Sequence, residues 1–363
     1  MKYIGIDCRA IEEKPTGIGN YIKSVIPEII KRDKSNIYYL IFNNNNVYRK
    51  YKDKYSKLTN VKVVTIKSKT QSPLSQFTLQ KELKRFKLNL FITDIFGSVY
   101  FIGVPYILIV NDIIGVKNPK FVSFKYRLYN AIHLKWSINH AKKIFTLTNA
   151  TKNDILSYIN IKSKKIKVIG AGITMPKISN MESLDIRKNY NIQSDYFVYI
   201  GNDKPHKNIR GLVNAFIKYK KRFKNSSELV LIGVPENSSA LIKRKKKYIK
   251  PLGIVKEQEK LYLLKNSIAL VTLSFDEGFG LPILEACYVG VPIICSNIDV
   301  FREILDDTQT IFVNPKSIMP VVKALNLLYT NNDKRDELIK NNRNLIEKYS
   351  WTKTAKKIIK EIK

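Results

Sequence analysis

Residues 274–292 read Ser274-Phe275-Asp276-Glu277-Gly278-Phe279-Gly280-Leu281-Pro282-Ile283-Leu284-Glu285-Ala286-Cys287-Tyr288-Val289-Gly290-Val291-Pro292. The apolar run Ala269–Leu273 precedes this stretch and Ile293–Cys295 follows it. The order predicts a strand, a glycine-bearing loop, a helix whose first residue is Pro282, and another strand. That unit is the repeat of a parallel α/β sheet. Gly278 and Gly280 let the backbone turn N–H groups toward an anion, and a helix start adds partial positive charge. Glu277 in the loop and Glu285 about a turn into the helix cannot serve to bind phosphate, but they can accept hydrogen bonds from sugar hydroxyls. Two solvated glutamates on a plain strand–turn–helix are the better account of Glu-x7-Glu by itself; the flanking Gly-Phe-Gly-Leu-Pro and Gly-Val-Pro reverse that and favour a site.

The same alternation runs outward in both directions. Strand-like runs are Tyr3–Ile6, Tyr38–Phe42, Val61–Ile66, Tyr106–Val110, Lys143–Leu147, Lys167–Ile169, Phe197–Ile200, Leu229–Ile232, Ala269–Leu273, Ile293–Cys295 and Thr310–Val313. Most are near-continuously apolar, as strands covered on both faces are. Helical patterns lie between them, among them Tyr21–Lys31, Asn208–Arg222 and Pro282–Tyr288. The polar stretch Thr174–Ser194 divides the series into two halves, each the size of a doubly wound domain. The reading is a Rossmann-like domain over 1–173, a linker over 174–194, and a second Rossmann-like domain over 195–349. A closing helix over 350–363 is expected to cross back to the first domain, with Ser350 as its cap and Trp351, Ala355, Ile358 and Ile359 as its apolar stripe.

Charge narrows the partners. The chain carries 64 basic and 30 acidic side chains, a net +34, of which residues 1–180 hold 32 and 10, a net +22. Such a surplus suits nucleic acid, an anionic membrane face or phosphorylated substrates. Abundant Lys, Ile and Asn also fit an AT-rich genome, with lysine merely coating the surface. Cys8, Cys287 and Cys295 are too few and too scattered for a disulfide framework or a zinc site, and fit a reducing cytosol. No signal peptide or spanning segment is evident. The uncharged stretch Ile95–Asn111 is broken by Gly97, Ser98, Gly103 and Pro105 and predicts two buried strands around a turn. In Phe121–Lys143, basic residues mix with Phe124, Tyr126, Tyr129 and Trp136: a helix for an anionic membrane, or equally a core helix with a charged outer face. Lys243–Lys247 is a charge run read as a solvated loop or helix end.

The Glu-x7-Glu segment resembles the signature of family 4 glycosyltransferases, retaining GT-B enzymes that use nucleotide-diphosphate sugars. The resemblance extends over nearly the whole chain. Gly5–Arg9 and Thr16-Gly17-Ile18-Gly19-Asn20-Tyr21 resemble the family's opening strand and glycine loop; Val110–Ile113, Thr148–Thr151, Val168–Ile173 and Tyr199–Asn208 resemble later blocks, and Tyr349-Ser350-Trp351 the start of its closing helix. It implies two Rossmann-like domains with parallel sheets facing across a cleft. It places Lys207, expected just inside a helix, on the donor diphosphate, with Gly17, Gly19, Asn202, Lys204, Gly278, Phe279, Gly280 and Leu281 around the donor. Glu285 holds the ribose hydroxyls and Glu277 the donor sugar. The base is expected near Ile249–Val255, where Pro251-Leu252-Gly253 is read as a turn, with Leu252 as the contact. No Asp-x-Asp occurs, so no metal or other cofactor is expected.

Retention without an evident carboxylate nucleophile implies attack on the face from which the leaving group departs, with the departing phosphate oxygen taking the acceptor proton. Two positions depart from the family: Asn111 stands where members commonly have His, and Asn202 where many have Arg, for which Lys204 or His206 can compensate. Asp112 is the candidate acceptor contact. Phe91-Ile92-Thr93-Asp94 replaces a Phe-His-Ser-Pro block, so acceptor identity does not transfer. The implied activity is transfer of a hexose, mannose-type, to a saccharide or lipid-linked acceptor of capsule or O-antigen type, at the inner face of the membrane. The alternatives are transfer of a 6-deoxyhexose, a non-catalytic homologue acting as partner subunit, and, on charge alone, a nucleic-acid binder with no recognition motif to support it. A nicotinamide dehydrogenase lacks the third glycine of Gly-x-Gly-x-x-Gly after Gly17-Ile18-Gly19.

Overall fold

The structure, a computed structural model, describes the chain apart from residues 13–16, 69–74, 95–98, 175–182, 240, 242–245, 343–344 and 363, and the side chains of 75–77 and 183–185. Two compact units divide it: Met1–Gly172 with Ser350–Lys363, and Ile173–Tyr349.

In the first unit the described strands are β1 (Tyr3–Asp7), β2 (Ile37–Phe42), β3 (Val61–Thr65), β4 (Leu90–Thr93), β5 (Tyr106–Val110), β6 (Lys143–Thr146) and β7 (Ile166–Val168). They form one sheet in the order β3-β2-β1-β4-β5-β6-β7, every pair parallel. Parallel neighbours need crossovers, and helices such as Gly17–Arg32 supply them. The central strands are buried end to end because helices cover both faces. Phe91, Leu108, Ile144 and Ile155 belong to the resulting core.

The second unit repeats the plan with β8 (Tyr196–Ile200), β9 (Glu228–Ile232), β10 (Ile249–Gly253), β11 (Leu270–Thr272), β12 (Ile293–Ser296) and β13 (Ile311–Val313). The order is β10-β9-β8-β11-β12-β13, again parallel throughout. Phe197, Phe216, Leu231, Val271 and Leu325 lie in its core. Residues 183–194, read from sequence as linker, carry the helix Ser183–Asn189 and bury Ile186 and Ile192.

The closing helix, Trp351–Ile362, packs within the first unit. The Ser350 hydroxyl accepts from the Lys353 amide at 3.2 Å, capping the helix, and Trp351, Ala355, Ile358, Ile359 and Ile362 are its buried stripe. Trp351 meets the Tyr21 ring edge-on at 5.2 Å, and Thr352 hydrogen-bonds Glu28 and Arg32 of the helix Gly17–Arg32.

Four expectations need correction. Leu252 is not in a turn: Pro251 to Gly253 continue β10, and the register slips between them, so Leu252 is the extra residue of a bulge. An edge strand tolerates Pro251 because one flank has no strand to bond. β4 and β10 were absent from the strands read in the sequence: Phe91–Thr93 of β4 was read only as part of a block that departs from the family, and β10 holds Lys250, Pro251 and Gly253. Of the two strands expected in 95–111, Tyr106–Val110 is present and 99–105 are turn, while 95–98 lie outside the described residues, as do Thr16, Lys243–Lys245 and 175–182 of the expected linker. No helix among the described residues is long and apolar enough to cross a membrane.

Candidate functional site

In doubly wound sheets, ligands sit beyond the carboxyl ends of the strands where the strand order reverses. In the second unit that point lies between β8 and β11. The loops leaving those two strands are 201–208 and 273–280, which carry Lys207 and Glu277. Topology thus brings together two residues 70 apart in sequence.

Lys207 Nζ donates to both carboxylate oxygens of Glu277 at 2.7 Å, and Ser274 Oγ donates to Oε1 at 2.7 Å. Glu277 is buried, at 9% exposure, so its charge depends on these partners. Lys207 is not inside a helix, as the sequence suggested. Pro205 opens a short 3₁₀ turn, Pro205–Lys207, and Asn208 then caps the helix Ile209–Phe223 by accepting from the Gly211 amide. Asn208 adopts left-handed backbone, and its Nδ2 donates to Pro315 O at 2.9 Å, which fixes the turn that presents Lys207. His206 adds no charge here. Burial, then Lys207, push its pKa down to about 4, against the pull of Glu277. Tyr199, buried beneath the loop and close to Glu277 and Asp203, is held well above the ordinary phenol range, and its hydroxyl donates to Asn202 O at 2.8 Å.

The second carboxylate sits on the helix Leu281–Val289. This helix starts one residue before Pro282 because Gly280 takes the cap position with left-handed backbone, φ +96°. Glu285 Oε1 accepts from Lys260 Nζ at 2.8 Å, while its Oε2 is buried and without a hydrogen-bond partner. Burial works against the charge on Lys260, but Glu285 and Glu257 outweigh it and raise its pKa. Ser274 lay in the quoted segment without a role, three residues before Glu277, a spacing that could have flagged it. Lys260 is one lysine on a helix, with nothing in the sequence to distinguish it.

The remaining candidates divide. Gly278 and Leu281 line the same loop and helix start, half-buried. The Phe279 side chain is buried edge-on against Tyr349 at 5.6 Å, so it braces the loop rather than facing a ligand. Asn202 and Lys204 are exposed in the 201–208 loop, where the Asn202 side chain accepts from the Lys204 amide at 3.2 Å. In the first unit, Gly17 and Gly19 do not form a loop. They fall in the first turn of the helix Gly17–Arg32, where added methyl at Gly17 meets open space. Asn111 follows β5 with Oδ1 buried and unpartnered, and Asp112 accepts from the Ile114 amide at 3.0 Å, capping a short turn.

The first unit has its own reversal point, between β1 and β4. There Arg9 donates to both oxygens of Asp7, at 2.8 and 2.7 Å, and Thr93 Oγ1 donates to Asp7 Oδ2 at 2.8 Å. Asp94 is buried beside them with Oδ1 unpartnered; burial, then Asp7, push its pKa up to about 7. Sequence reasoning gave none of these four a role.

Residues 182–345, inside the second unit, match the family model of glycosyl transferases group 1. The chain is 32% identical over 181 residues to O-antigen chain mannosyltransferase B of Escherichia coli, covering 47% of each chain. It is 30% identical over 215 residues to O-antigen chain mannosyltransferase RfbU of Salmonella typhimurium, covering 57% of each. It thus spans about half the length of the curated relatives it matches. Among solved structures it is similar to Anabaena HepE in complex with UDP and glucose, with a TM-score of 0.74 at 14% identity over 100% of this chain and 99% of that one. Two parallel-sheet α/β units with such neighbours are a GT-B glycosyltransferase fold, and its second unit carries the segment shared with glycosyl transferases group 1.

Proposed function

We propose that the chain is a retaining glycosyltransferase that moves a hexose, of mannose type, from a nucleotide-diphosphate sugar to a lipid-linked saccharide in surface-glycan assembly. The observation that carries this reading is the half-buried Lys207–Glu277 pair at the β8/β11 reversal point, in the segment matched by the group 1 family. The two mannosyltransferase relatives support the sugar and the pathway class, and the HepE complex supports a nucleotide-sugar donor. Lys207 Nζ is assigned to the diphosphate, where a fixed cation stabilises the charge that develops as the sugar–phosphate bond breaks. Glu277 accepts from sugar hydroxyls, and the open Oε2 of Glu285 from a ribose hydroxyl. Backbone amides of Gly278–Leu281 and the helix start complete an anion-facing rim. The acceptor hydroxyl attacks the anomeric carbon as the phosphate leaves from the same face, and its proton passes to the leaving phosphate oxygen. No metal is assigned a role. Asn111, with its free Oδ1, contacts a substrate hydroxyl, and so sets which sugar is held rather than moving a proton.

A non-catalytic partner subunit is the second reading, favoured by Asn111 and Asn202. Release of nucleoside diphosphate from GDP-mannose and UDP-glucose separates the two. Turnover by the wild-type chain that is lost in Glu277→Gln is the expected result. No release, and no rise in melting temperature with any nucleotide sugar, overturns the transferase reading.

A further inference from the structure

Glu285, assigned above to the donor ribose, is tied to a residue outside its own helix. Lys260 Nζ donates to Glu285 Oε1 at 2.8 Å and pairs with Glu257 Oε1, also at 2.8 Å. The three side chains differ in exposure: Glu257 keeps 63%, Glu285 20% and Lys260 15%. Lys265, on the same helix, Glu257–Lys265, is exposed, as lysines usually are. Lys260 has thus given up most of its water, and the rotamer freedom of a long side chain, for two carboxylates. A half-buried ion pair of this kind seldom repays its desolvation in stability, so stability alone does not account for it.

What the contact fixes is one oxygen of Glu285. A carboxylate on a helix otherwise turns about its side-chain bonds and offers either oxygen to a donor. With Oε1 tied to Lys260, Oε2 is the oxygen left without a hydrogen bond. The helix Glu257–Lys265 packs against the helix Leu281–Val289, so Lys260 reaches from one element to the next. It also reaches back along the chain. Glu257 opens its helix directly after the residues 254–256 that leave β10, the strand beside which the base is expected. One ammonium therefore links the segment after β10 to the carboxylate assigned to the ribose. Burial works against its charge, but Glu285 and Glu257 together hold it protonated.

We propose that Lys260 is a positioning residue: it fixes the Glu285 carboxylate so that the chain holds ribonucleotides in preference to their deoxy counterparts. This rests on Glu285 facing the donor ribose. Affinities of the full chain are measured by titration calorimetry for GDP and UDP, and for the 2′-deoxy and 3′-deoxy forms of whichever binds. The wild-type chain should hold the ribonucleotide about tenfold or more tightly than one of its deoxy forms, the loss expected for a hydrogen bond to a charged group. Lys260→Met keeps the length of the side chain and removes its charge. It should bring that ratio below about threefold by weakening the ribonucleotide and sparing the deoxynucleotide, whereas a packing defect weakens both alike. Glu285→Gln and Lys260→Met/Glu285→Gln should bind the ribonucleotide equally, a comparison that holds even where Lys260→Met alone is unstable. An unchanged ratio in folded Lys260→Met overturns the proposal and leaves the donor reading in place. So does a further loss of about tenfold in the double variant relative to Glu285→Gln, which would put Lys260 on the nucleotide itself. Equal binding of all three forms by the wild-type chain takes Glu285 off the ribose and the proposal with it. Binding of neither GDP nor UDP overturns the donor reading as well.

Discussion

The Lys207–Glu277 pair holds two loops together and is proposed to face the donor, and substitutions can separate the two roles. With Lys207 removed, Glu277 keeps only the Ser274 hydroxyl and its charge is left largely uncompensated. Lys207→Ala should therefore lose about 2–4 kcal/mol of stability and, if the cation holds the leaving diphosphate, 30- to 1000-fold in kcat/KM, about 2–4 kcal/mol of transition-state stabilisation. Adding Glu277→Gln should restore most of the melting temperature and none of the activity. Recovery of both would make the pair purely structural. Asp94 poses the opposite problem, a carboxyl without a cation of its own. Its pKa of about 7 lies above the unfolded value, so between about pH 4 and 7 the folded chain keeps a proton that the unfolded chain has released. The group's contribution to stability thus falls as pH rises through that window. Asp94→Asn should raise the melting temperature at pH 8, by about 2–4 °C for each kcal/mol gained, and do little at pH 4.5. An equal change at both pH values would refute the burial argument. Lys207 and Glu277 were each singled out by the family resemblance, but their contact, like the Asp7–Arg9–Thr93 cluster, depends on which strands become neighbours.

At the scale of single elements, the loop 273–280 and the helix after it are set by one backbone choice. Gly280 has φ +96°, and a methyl group there would lie 2.7 Å from Phe301 Cε1. Gly280→Ala must both strain the left-handed residue and displace a buried ring, for a cost of roughly 1–3 kcal/mol. Because Glu277 precedes this residue and Glu285 follows it, nucleotide-sugar affinity should fall together with stability. Thermal melts with and without nucleotide sugar read both, and unchanged affinity in a destabilised protein would separate the hinge from the site. Legibility followed burial only in part, since β4 is buried throughout and was still missed. Strands covered on both faces, such as Tyr106–Val110, were plain in the sequence because nothing but apolar residues fits there. β10 was not, since an edge strand half in water accepts Lys250 and Pro251. The helix Phe124–His140 reads equally as core or interface, because residues of similar hydrophobicity point both inward and outward; only the three-dimensional packing distinguishes Leu134 from Leu128. Phe279 was assigned to a ligand because its neighbours are, but its ring had a nearer use in Tyr349.

Over the whole molecule, the six-strand order of the second unit also occurs in the first, which adds β7 at one edge, and the chain enters the first unit a second time at Ser350. The return is tightly specified. A methyl group on Gly172 would stand 2.2 Å from the Trp351 amide nitrogen and 2.6 Å from the Ser350 carbonyl carbon, backbone atoms that cannot rotate away. Beyond that crossing the closing helix buries Trp351, Ile358 and Ile362, and Lys2 Nζ donates to Ile362 O at 3.0 Å, joining the chain's first strand region to its last helix. The first unit therefore owes part of its core to residues some 180 positions beyond its main segment. Trp351→Ala should cost about 3–5 kcal/mol and Ile358→Ala about 2–5 kcal/mol, the range for large buried side chains cut to methyl. The loss should be confined to one unit. Hydrogen exchange should rise in the helix Gly17–Arg32, which packs with the closing helix, while β8 and β11 keep their protection. Gly172→Ala should give the same exchange pattern without deleting a single apolar contact, since it acts by forcing the two backbone passages apart. If either Trp351→Ala or Gly172→Ala instead loosens β8 and β11 first, the closing helix stabilises the second unit, and the assignment of Ser350–Lys363 to the first is wrong.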